Sequence, residues 1–270
     1  MKVLRTIMKT KLTLAALFLL PLTAQQAFAE EEKSAYTTSA ELGFLFKTGN
    51  TKSGDIKAAF NLKHEKGQWR NVVNINALVK KTELENEAGE DEFETTDNKW
   101  DIITQTNYSL HENGKNYVYA NLAYEQNKFN SFVSQSSLSA GWGRHFWETE
   151  TSSFFADVGP GVKYDTLREI PATDTAAAVA EDSETAVIIQ AQALYTAKIN
   201  DYVEFKQYFV AKQALESGKN SAYRAESSIS TKLIESLQFK FSFRVDYDTE
   251  VEADYDNTNT ETAVTLVYSF

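Results

Sequence analysis

Apolar and polar residues alternate one by one along most of the chain after residue 35. Over residues 36–46 the even positions are mainly apolar and the odd positions mainly polar. Over residues 237–247, six apolar residues alternate with polar residues that include Lys240 and Arg244. A period of two puts successive side chains on opposite faces of an extended strand. The pattern therefore predicts strands that each have one apolar face and one polar face.

Segments of this kind recur often enough to predict an all-β chain of about twelve strands. The predicted strands cover residues 35–47, 55–64, 69–80, 99–110, 117–125, 133–145, 153–164, 186–196, 202–211, 222–233, 237–247 and 260–270. In the fifth and ninth segments the alternation leaves open which face is apolar. Short connections alternate with long ones, and the long ones include residues 82–98, 165–184 and 248–259.

Strand length, strand number and loop asymmetry together predict a closed antiparallel up-and-down transmembrane β-barrel. Membrane strands need roughly 9–11 residues, whereas soluble strands are nearer 5–6. An open sheet edge in hydrocarbon would leave backbone groups unpaired at several kcal/mol each, so the sheet must close. Short turns would then face the periplasm and long loops the outside. Aromatic residues near strand ends predict interfacial girdles, although they would also suit the core of a soluble sheet protein; they are Trp69, Trp100, Tyr108, Phe146, Trp147, Tyr202, Tyr268 and Phe270.

The first thirty residues have the form of a secretory signal peptide. Basic residues precede the apolar run of residues 12–20, and Ala27 and Ala29 give the small-x-small pattern of a cleavage site. We expect residues 1–29 to be the signal peptide and residues 30–270 to form an outer-membrane barrel. The alternative is an N-terminal membrane anchor, but a spanning helix needs roughly twenty apolar residues, about twice this run.

Composition excludes several classes of site. The chain has no Cys, which rules out disulfides, thiolate zinc sites and cysteine nucleophiles. Its formal net charge of −11 and lack of a basic block make nucleic acid a poor partner, because phosphate binding needs clustered Lys and Arg. We expect no cofactor, and the oligomeric state stays open.

Two sets of residues carry a resemblance to known proteins. Tyr268 and Phe270, an aromatic pair two positions apart at the end of the last strand, resemble the signature by which the barrel-assembly machinery recognises outer-membrane barrels. The chain also resembles an uncharacterised family of salt-induced outer-membrane proteins, on residues 41–43 (ELG), 49–51 (GNT), 138–143 (LSAGWG) and 159–161 (GPG). Arg144 and His145 depart from the Tyr-Arg pair expected there. The resemblance implies an outer-membrane location and no settled activity.

Charged residues of both signs occur at positions predicted to face the lumen: Glu41, Arg70, Glu204, Lys206, Arg224, Glu226, Lys240 and Arg244. They would either pair across strands and fill the lumen or line a narrow hydrated passage. The sequence shows no plug domain and no obvious inserted loop, which favours a passage. The glycines Gly141, Gly143, Gly159 and Gly161 have the same inward parity, so they would either leave room for a bulky group or relieve crowding and permit bending.

Six carboxylates occur at every second residue near the C-terminus: Asp246, Asp248, Glu250, Glu252, Asp254 and Asp256. If this ribbon stays extended, all six side chains face the barrel mouth. Three interpretations stay open: solvated acidic loops, diffuse attraction of Ca²⁺ or Mg²⁺ that bridges to lipopolysaccharide, and a stoichiometric metal site. The last would need carboxylates from two loops, because alternate residues of one strand lie roughly 7 Å apart.

These features favour a non-enzymatic barrel that admits small cations or polar solutes through an acidic mouth. The alternative is an envelope-structural protein without transport, whose loops gather divalent cations. A barrel hydrolase is a remote third reading, because His64, His111 and His145 all lie at predicted periplasmic strand ends and no nucleophile-elbow motif occurs.

Overall fold

Twelve antiparallel strands close into one barrel in the computed structural model, which describes residues 35–47, 53–85, 91–111, 114–169, 182–252 and 255–270. The strands are β1 (Tyr36–Lys47), β2 (Ser53–Lys66), β3 (Trp69–Glu85), β4 (Asp91–Ser109), β5 (Asn116–Asn127), β6 (Phe132–Glu148), β7 (Ser152–Leu167), β8 (Ser183–Lys198), β9 (Val203–Ala214), β10 (Ala222–Lys232), β11 (Leu237–Asp248) and β12 (Thr258–Ser269). The predicted fold class is therefore confirmed. Within the described residues, no helix is long and apolar enough to cross a membrane.

Each strand pairs with its neighbours in sequence, and β12 pairs with β1 to close the ring. The closing register runs from Ser39 opposite Ser269 to Gly43 opposite Thr265. The Phe270 N–H also donates to the Thr38 carbonyl at 3.1 Å, and the Thr38 hydroxyl donates to the Phe270 carbonyl at 2.6 Å. Because both edges are paired, no strand presents a free edge at this seam.

The prediction of a loop over residues 82–98 is wrong for most of that segment. β3 continues to Glu85 and β4 starts at Asp91, so the two strands extend as a paired ribbon. The register shifts between Lys80 and Lys81, and the Thr82 and Thr96 hydroxyls share a hydrogen bond of 2.8 Å beyond that bulge. The acidic side chains are compatible with strand pairing because Glu92 and Glu94 are exposed to solvent. The threonines of this segment also favour strand structure.

The distribution of polarity is the reverse of that in a soluble protein. Among the described residues, 19 buried residues are polar or charged and 11 are apolar. Large apolar side chains such as Leu122, Leu138 and Phe241 lie 43–55% exposed on the outer face. The fifth and ninth strands also expose large apolar side chains such as Leu122 and Phe209 on the outer face. Their inner faces are mixed, because Tyr117 and Val210 are buried inside. An apolar outside and a polar inside suit a barrel in lipid.

Aromatic rings line both rims of this outer surface. At the end that carries the short turns, which we call the short-turn end, Trp147 lies 4.9 Å from Phe154 and 6.4 Å from Tyr195 between ring centroids. At the opposite, long-loop end, Trp100 and Tyr124 lie 5.2 Å apart. Such belts are typical of the two interfaces of a membrane barrel.

Candidate functional site

A charged bridge crosses the lumen in the half nearer the long loops. Arg224 on β10 donates to Glu125 on β5 at 2.5 Å and to Asp246 on β11 at 2.5 Å. β10 and β5 are five strands apart around a ring of twelve, so the contact joins opposite walls. All three side chains are only 18–20% exposed. We call these three residues the Arg224 bar.

Further ion pairs connect the bar to strands β12, β2 and β4. Arg244 on β11 lies 3.0 Å from Asp246 and 3.1 Å from Glu261 on β12. Glu261 also lies 2.6 Å from Lys57 on β2 and 2.7 Å from Lys99 on β4. Three cations therefore share one carboxylate that is 10% exposed. The cross-lumen pairs hold together strands that are not hydrogen-bonded to each other.

The Arg224 bar divides the space inside the barrel into two cavities. One has a volume of about 70 Å³ and is lined by Asn121, Gln190, Gln192 and Lys212 among others; we call it the amide cavity. The other has a volume of about 290 Å³ and is lined by Lys57, Lys80 and Lys99 among others; we call it the lysine cavity. Glu125 and Asp246 border both cavities. The bar is thus the partition between them.

A second network, almost free of charge, fills the lumen between β4, β5, β7 and β8. Asp157 accepts hydrogen bonds from Gln192 at 2.9 Å, from Gln105 at 3.1 Å and from the Tyr117 hydroxyl at 3.1 Å. Gln192 also donates to Gln105 at 2.5 Å, which joins β8 to β4 across the lumen. Asp157 is 3% exposed and is the one carboxylate among these otherwise uncharged side chains.

The inward glycines on β6 and β7 make room for the barrel's own chain. A Cβ at Gly143 would overlap the ring of Tyr117, which pairs with Gly143 from β5. A Cβ at Gly141 would lie 2.6 Å from the Gly159 Cα, so the two backbones approach closely there. The bulky group that fits this wall is therefore Tyr117 of the same chain, which supports the relief of crowding rather than ligand room.

The eight predicted lumen residues all lie on the inner face, but they fall into separate groups. Arg224 and Arg244 belong to the bar and its extension. Glu41 accepts from Lys240 at 3.1 and 3.2 Å, and Lys240 lies 3.8 Å from Glu226.

The other predicted lumen residues pair nearer the short turns. Arg70 lies 3.3 Å from Glu65, and Lys206 lies 2.9 Å from Glu204. The predicted alternative of pairing across strands therefore describes most of these side chains.

The six-carboxylate series does not remain extended, because β11 ends at Asp248. Asp246 belongs to the Arg224 bar. Asp248 is 5% exposed and accepts from Gln135 on β6 at 3.0 Å and from Asn220 at 2.8 Å. The expectation that all six side chains face the mouth from one ribbon is wrong beyond this point.

The rest of the series lies in a folded loop. Glu250 and Asp256 are exposed, and Asp254 lies outside the described residues. The Glu252 N–H donates to the Ser131 hydroxyl at 2.9 Å, on the β5–β6 connection opposite β11. The Thr249 N–H donates to Asn220 at 3.0 Å. The loop thus reaches over the mouth, which the sequence did not predict.

Two of the three histidines make the contacts expected of residues that pack against neighbouring side chains. His64 forms a 3.3 Å hydrogen bond with Asn71 and its ring lies 4.4 Å from that of Tyr36. The His145 ring lies between those of Tyr117 and Phe155, at 5.3 and 5.6 Å. These contacts give no support to a hydrolase. Within the described ranges, no three His, Asp or Glu side chains converge to hold a metal ion.

Two further sequence predictions concern the ends of the chain. Tyr268 and Phe270 are 48% and 55% exposed, with ring centroids 5.9 Å apart. Recognition of this pair by the assembly machinery stays a prediction. Ala27 and Ala29, the predicted cleavage site, lie outside the described residues.

Sequence reasoning missed several charged residues of the lumen: Lys57, Lys99, Asp101, Glu125, Asp157, Lys212 and Glu261. Most of them lie within predicted strands, so their inward parity was available as a signal. Glu125 was hidden because its strand left the apolar face undecided. Their partners were not predictable, because strands five apart meet only through the tilt and closure of the barrel.

Comparison with known proteins identifies a family and a fold. A family model described as "Protein of unknown function, DUF481" matches residues 40–270. The uncharacterized protein YdiY of Escherichia coli strain K12 is 25% identical over 181 residues, which are 65% of this chain and 61% of YdiY. The chain thus spans less than two thirds of that relative's length.

Two solved structures match most of the chain. The translocator domain of autotransporter NalP from Neisseria meningitidis has a TM-score of 0.50 and 9% identity, with 89% of this chain and 90% of that domain covered. The COG4313 outer membrane channel from Pseudomonas putida F1 has a TM-score of 0.46 and 9% identity, with 93% and 100% covered. At this level of identity, the likeness to the NalP domain is one of fold alone.

Proposed function

The chain belongs to DUF481, a family of proteins of unknown function, and we propose that it is a narrow outer-membrane channel for small cations or other small polar solutes. The observation that carries the proposal is the polar interior. Two cavities of about 70 and 290 Å³ lie inside the barrel, and ion pairs rather than apolar packing separate them. Ion pairs in a lumen can exchange with water, whereas a dry core cannot.

Charge supports the preference for cations. The chain has a formal net charge of −11, and Glu250 and Asp256 are exposed at the long-loop end. Negative charge at a mouth concentrates cations within a Debye length of roughly 8 Å. We further propose that these loops attract Ca²⁺ or Mg²⁺ diffusely and meet lipopolysaccharide through them, and that residues 1–29 direct export.

A non-transporting envelope protein is the second candidate, and contacts across the lumen favour it. The Arg224 bar and the bond from Glu252 to Ser131 both link opposite sides of the barrel. If these contacts never open, the barrel is a rigid scaffold in the membrane. The two candidates differ in whether the lumen conducts.

Planar-bilayer recording of the full chain, expressed with its own N-terminal segment and purified from membranes in detergent, tests the proposal. We expect discrete current steps, a reversal potential that favours K⁺ over Cl⁻ in a salt gradient, and a smaller current with millimolar Ca²⁺. Anion preference contradicts the cation proposal. If neither the wild type nor a variant without the bar conducts current, the result contradicts the channel proposal and favours the scaffold.

A further inference from the structure

The segment of chain that follows β11 is fastened to two fully buried side chains. Asn220, on the β9–β10 connection, accepts hydrogen bonds from the backbone N–H groups of Thr249 at 3.0 Å and Glu250 at 3.3 Å. Ser131, on the β5–β6 connection, accepts one from the Glu252 N–H at 2.9 Å. Asn220 is 1% exposed and Ser131 is 0% exposed. These backbone groups are therefore bonded to the barrel rather than to water.

Both anchors of this segment, residues 249–252, which we call the lid, are themselves held in place. The Asn220 amide nitrogen donates to Asp248, the last residue of β11, at 2.8 Å. The Arg168 backbone N–H donates to the Ser131 carbonyl at 3.0 Å. Because β5 and β6 lie on the opposite side of the ring from β11, the lid spans the mouth between two fixed walls.

The lid lies over the long-loop end of the amide cavity. Gln135 on β6 and Asp248 on β11 line that end of the cavity, and Gln135 donates to Asp248 at 3.0 Å across the lumen. On the neighbouring strands β8 and β9, Ile188 is fully buried in an apolar cluster with Ala186 and Ala214. This half of the mouth is therefore filled by the protein's own side chains.

The lysine cavity is open at the same end of the barrel. Asn259, near the start of β12, lines this cavity and is exposed to solvent. The structure describes all four residues of the lid, and none of them lines it. Its volume is about 290 Å³, against about 70 Å³ for the amide cavity. The lysine cavity is thus the wider of the two and lies beside the lid rather than beneath it.

We propose that the lid is a latched cover over the amide cavity, so that a solute from outside reaches the lumen through the lysine cavity while the bonds to Asn220 and Ser131 hold. Hydrogen bonds between neutral groups are readily replaced by bonds to water, so this cover can open. Its release would create a second route, directly above Lys212. The inference rests on the proposed function only where it concerns current, because access to the two cavities is measured without conduction.

Thiol labelling tests access to each cavity. The chain has no Cys, so an engineered Cys is its only thiol. Lys80→Cys reports on the lysine cavity and Lys212→Cys on the amide cavity, since each of these lysines lines one of them. The full chain, purified in detergent, is treated with a small cationic methanethiosulfonate, and labelling is followed by mass spectrometry. We expect Lys80→Cys to react about tenfold faster or more. Equal rates, or faster labelling of Lys212→Cys, would overturn the proposal.

Release of the latch tests the lid itself. Adding Asn220→Ala to Lys212→Cys should raise its labelling rate about tenfold, because the hydrogen bonds that hold the lid are lost. Asn200→Ala is the matched control: the Asn200 side chain also accepts from two backbone N–H groups, at 2.8 and 2.9 Å, but in a turn at the short-turn end. It should leave the rate unchanged, and equal rates in the two variants would contradict the latch.

Heat-modifiable migration on gels confirms that each barrel is folded. If Asn220→Ala does not fold, Ser131→Ala takes its place, because it removes the bond at the other end of the lid. It should also raise the labelling rate of Lys212→Cys, and an unchanged rate would contradict the latch.

A disulfide across the latch tests the route of the current. Ser131→Cys combined with Glu252→Cys places thiols on two residues that a hydrogen bond already joins. We expect the oxidised protein to keep the single-channel step of the wild type, because ions pass beside the closed lid. A step that disappears on oxidation and returns on reduction would overturn the proposal. If the wild type does not conduct, the channel fails and the labelling rates still decide the lid. If current flows but both cavities label equally, the channel stands and the lid fails.

Discussion

Removing the arginine of the Arg224 bar should open the lumen. In Arg224→Met, Glu125 and Asp246 lose the cation that joins them at 2.5 Å, and the amide and lysine cavities become continuous. We therefore expect a larger single-channel step than in the wild type. The variant should also fold, because Asp246 keeps its ion pair with Arg244 at 3.0 Å, and the adjoining cavities leave room for water to solvate Glu125.

The change in ion selectivity follows from Coulomb's law. The bar carries one positive and two negative charges, so the substitution lowers its net charge by one unit. At about 5 Å in water, one unit charge contributes about 0.8 kcal/mol to a passing ion, a factor of about four in favour of a cation and the same against an anion. Salt screening reduces this effect, so the reversal potential should shift most in dilute KCl.

Arg70→Met is the matched control, because Arg70 is another inward arginine but pairs with Glu65 near the short turns at 3.3 Å. It should leave the step size closer to that of the wild type. The reasoning is refuted if Arg224→Met gives the same step and the same reversal potential as the wild type and this control. A shift towards anions would also refute it.

Two further predictions concern the membrane face and the crowded wall. Phe241→Lys places a cation on the outer face in the middle of β11 and should lower the free energy of unfolding by roughly 2–4 kcal/mol in urea titrations in lipid. Tyr247→Lys, on the same face near the end of the strand, should lower it by only about 0–1 kcal/mol. Equal losses in the two variants would contradict a lipid-facing surface. Gly143→Leu should lower the free energy of unfolding by about 1–3 kcal/mol, because the new side chain overlaps the ring of Tyr117. Adding Tyr117→Ala should recover part of this loss in the same titrations. No recovery would show that the ring is not the obstacle.

The strands were predictable because alternation is a local property that survives closure of the barrel. All twelve predicted segments correspond to observed strands, including β11, in which every second residue is apolar. The family resemblance on short motifs is likewise confirmed by the match over residues 40–270. The main error lay beyond Lys80, where a bulge lets an acidic segment continue as a paired ribbon.

The arrangement of the lumen was much less predictable, because it depends on which strands meet across the ring. Arg224 and Asp246 are partners in register on neighbouring strands, so their pairing follows from local order. Glu125 reaches Arg224 only because opposite walls come within side-chain length of each other. That distance is set by strand number and stagger, which no single segment of sequence encodes.

The strength of the Arg224 bar, more than the architecture of the barrel, decides whether the protein acts as a channel or as a scaffold. Each hydrogen bond to a charged group is worth about 1.5–3 kcal/mol, but the side chains are 18–20% exposed and water can replace part of each bond. A net closing free energy of about 2 kcal/mol would leave the bar open about 3% of the time. Brief openings of a mostly closed lumen would then give a channel of low activity. A bar stronger by another 3 kcal/mol would open about 150-fold less often and make the same barrel a scaffold.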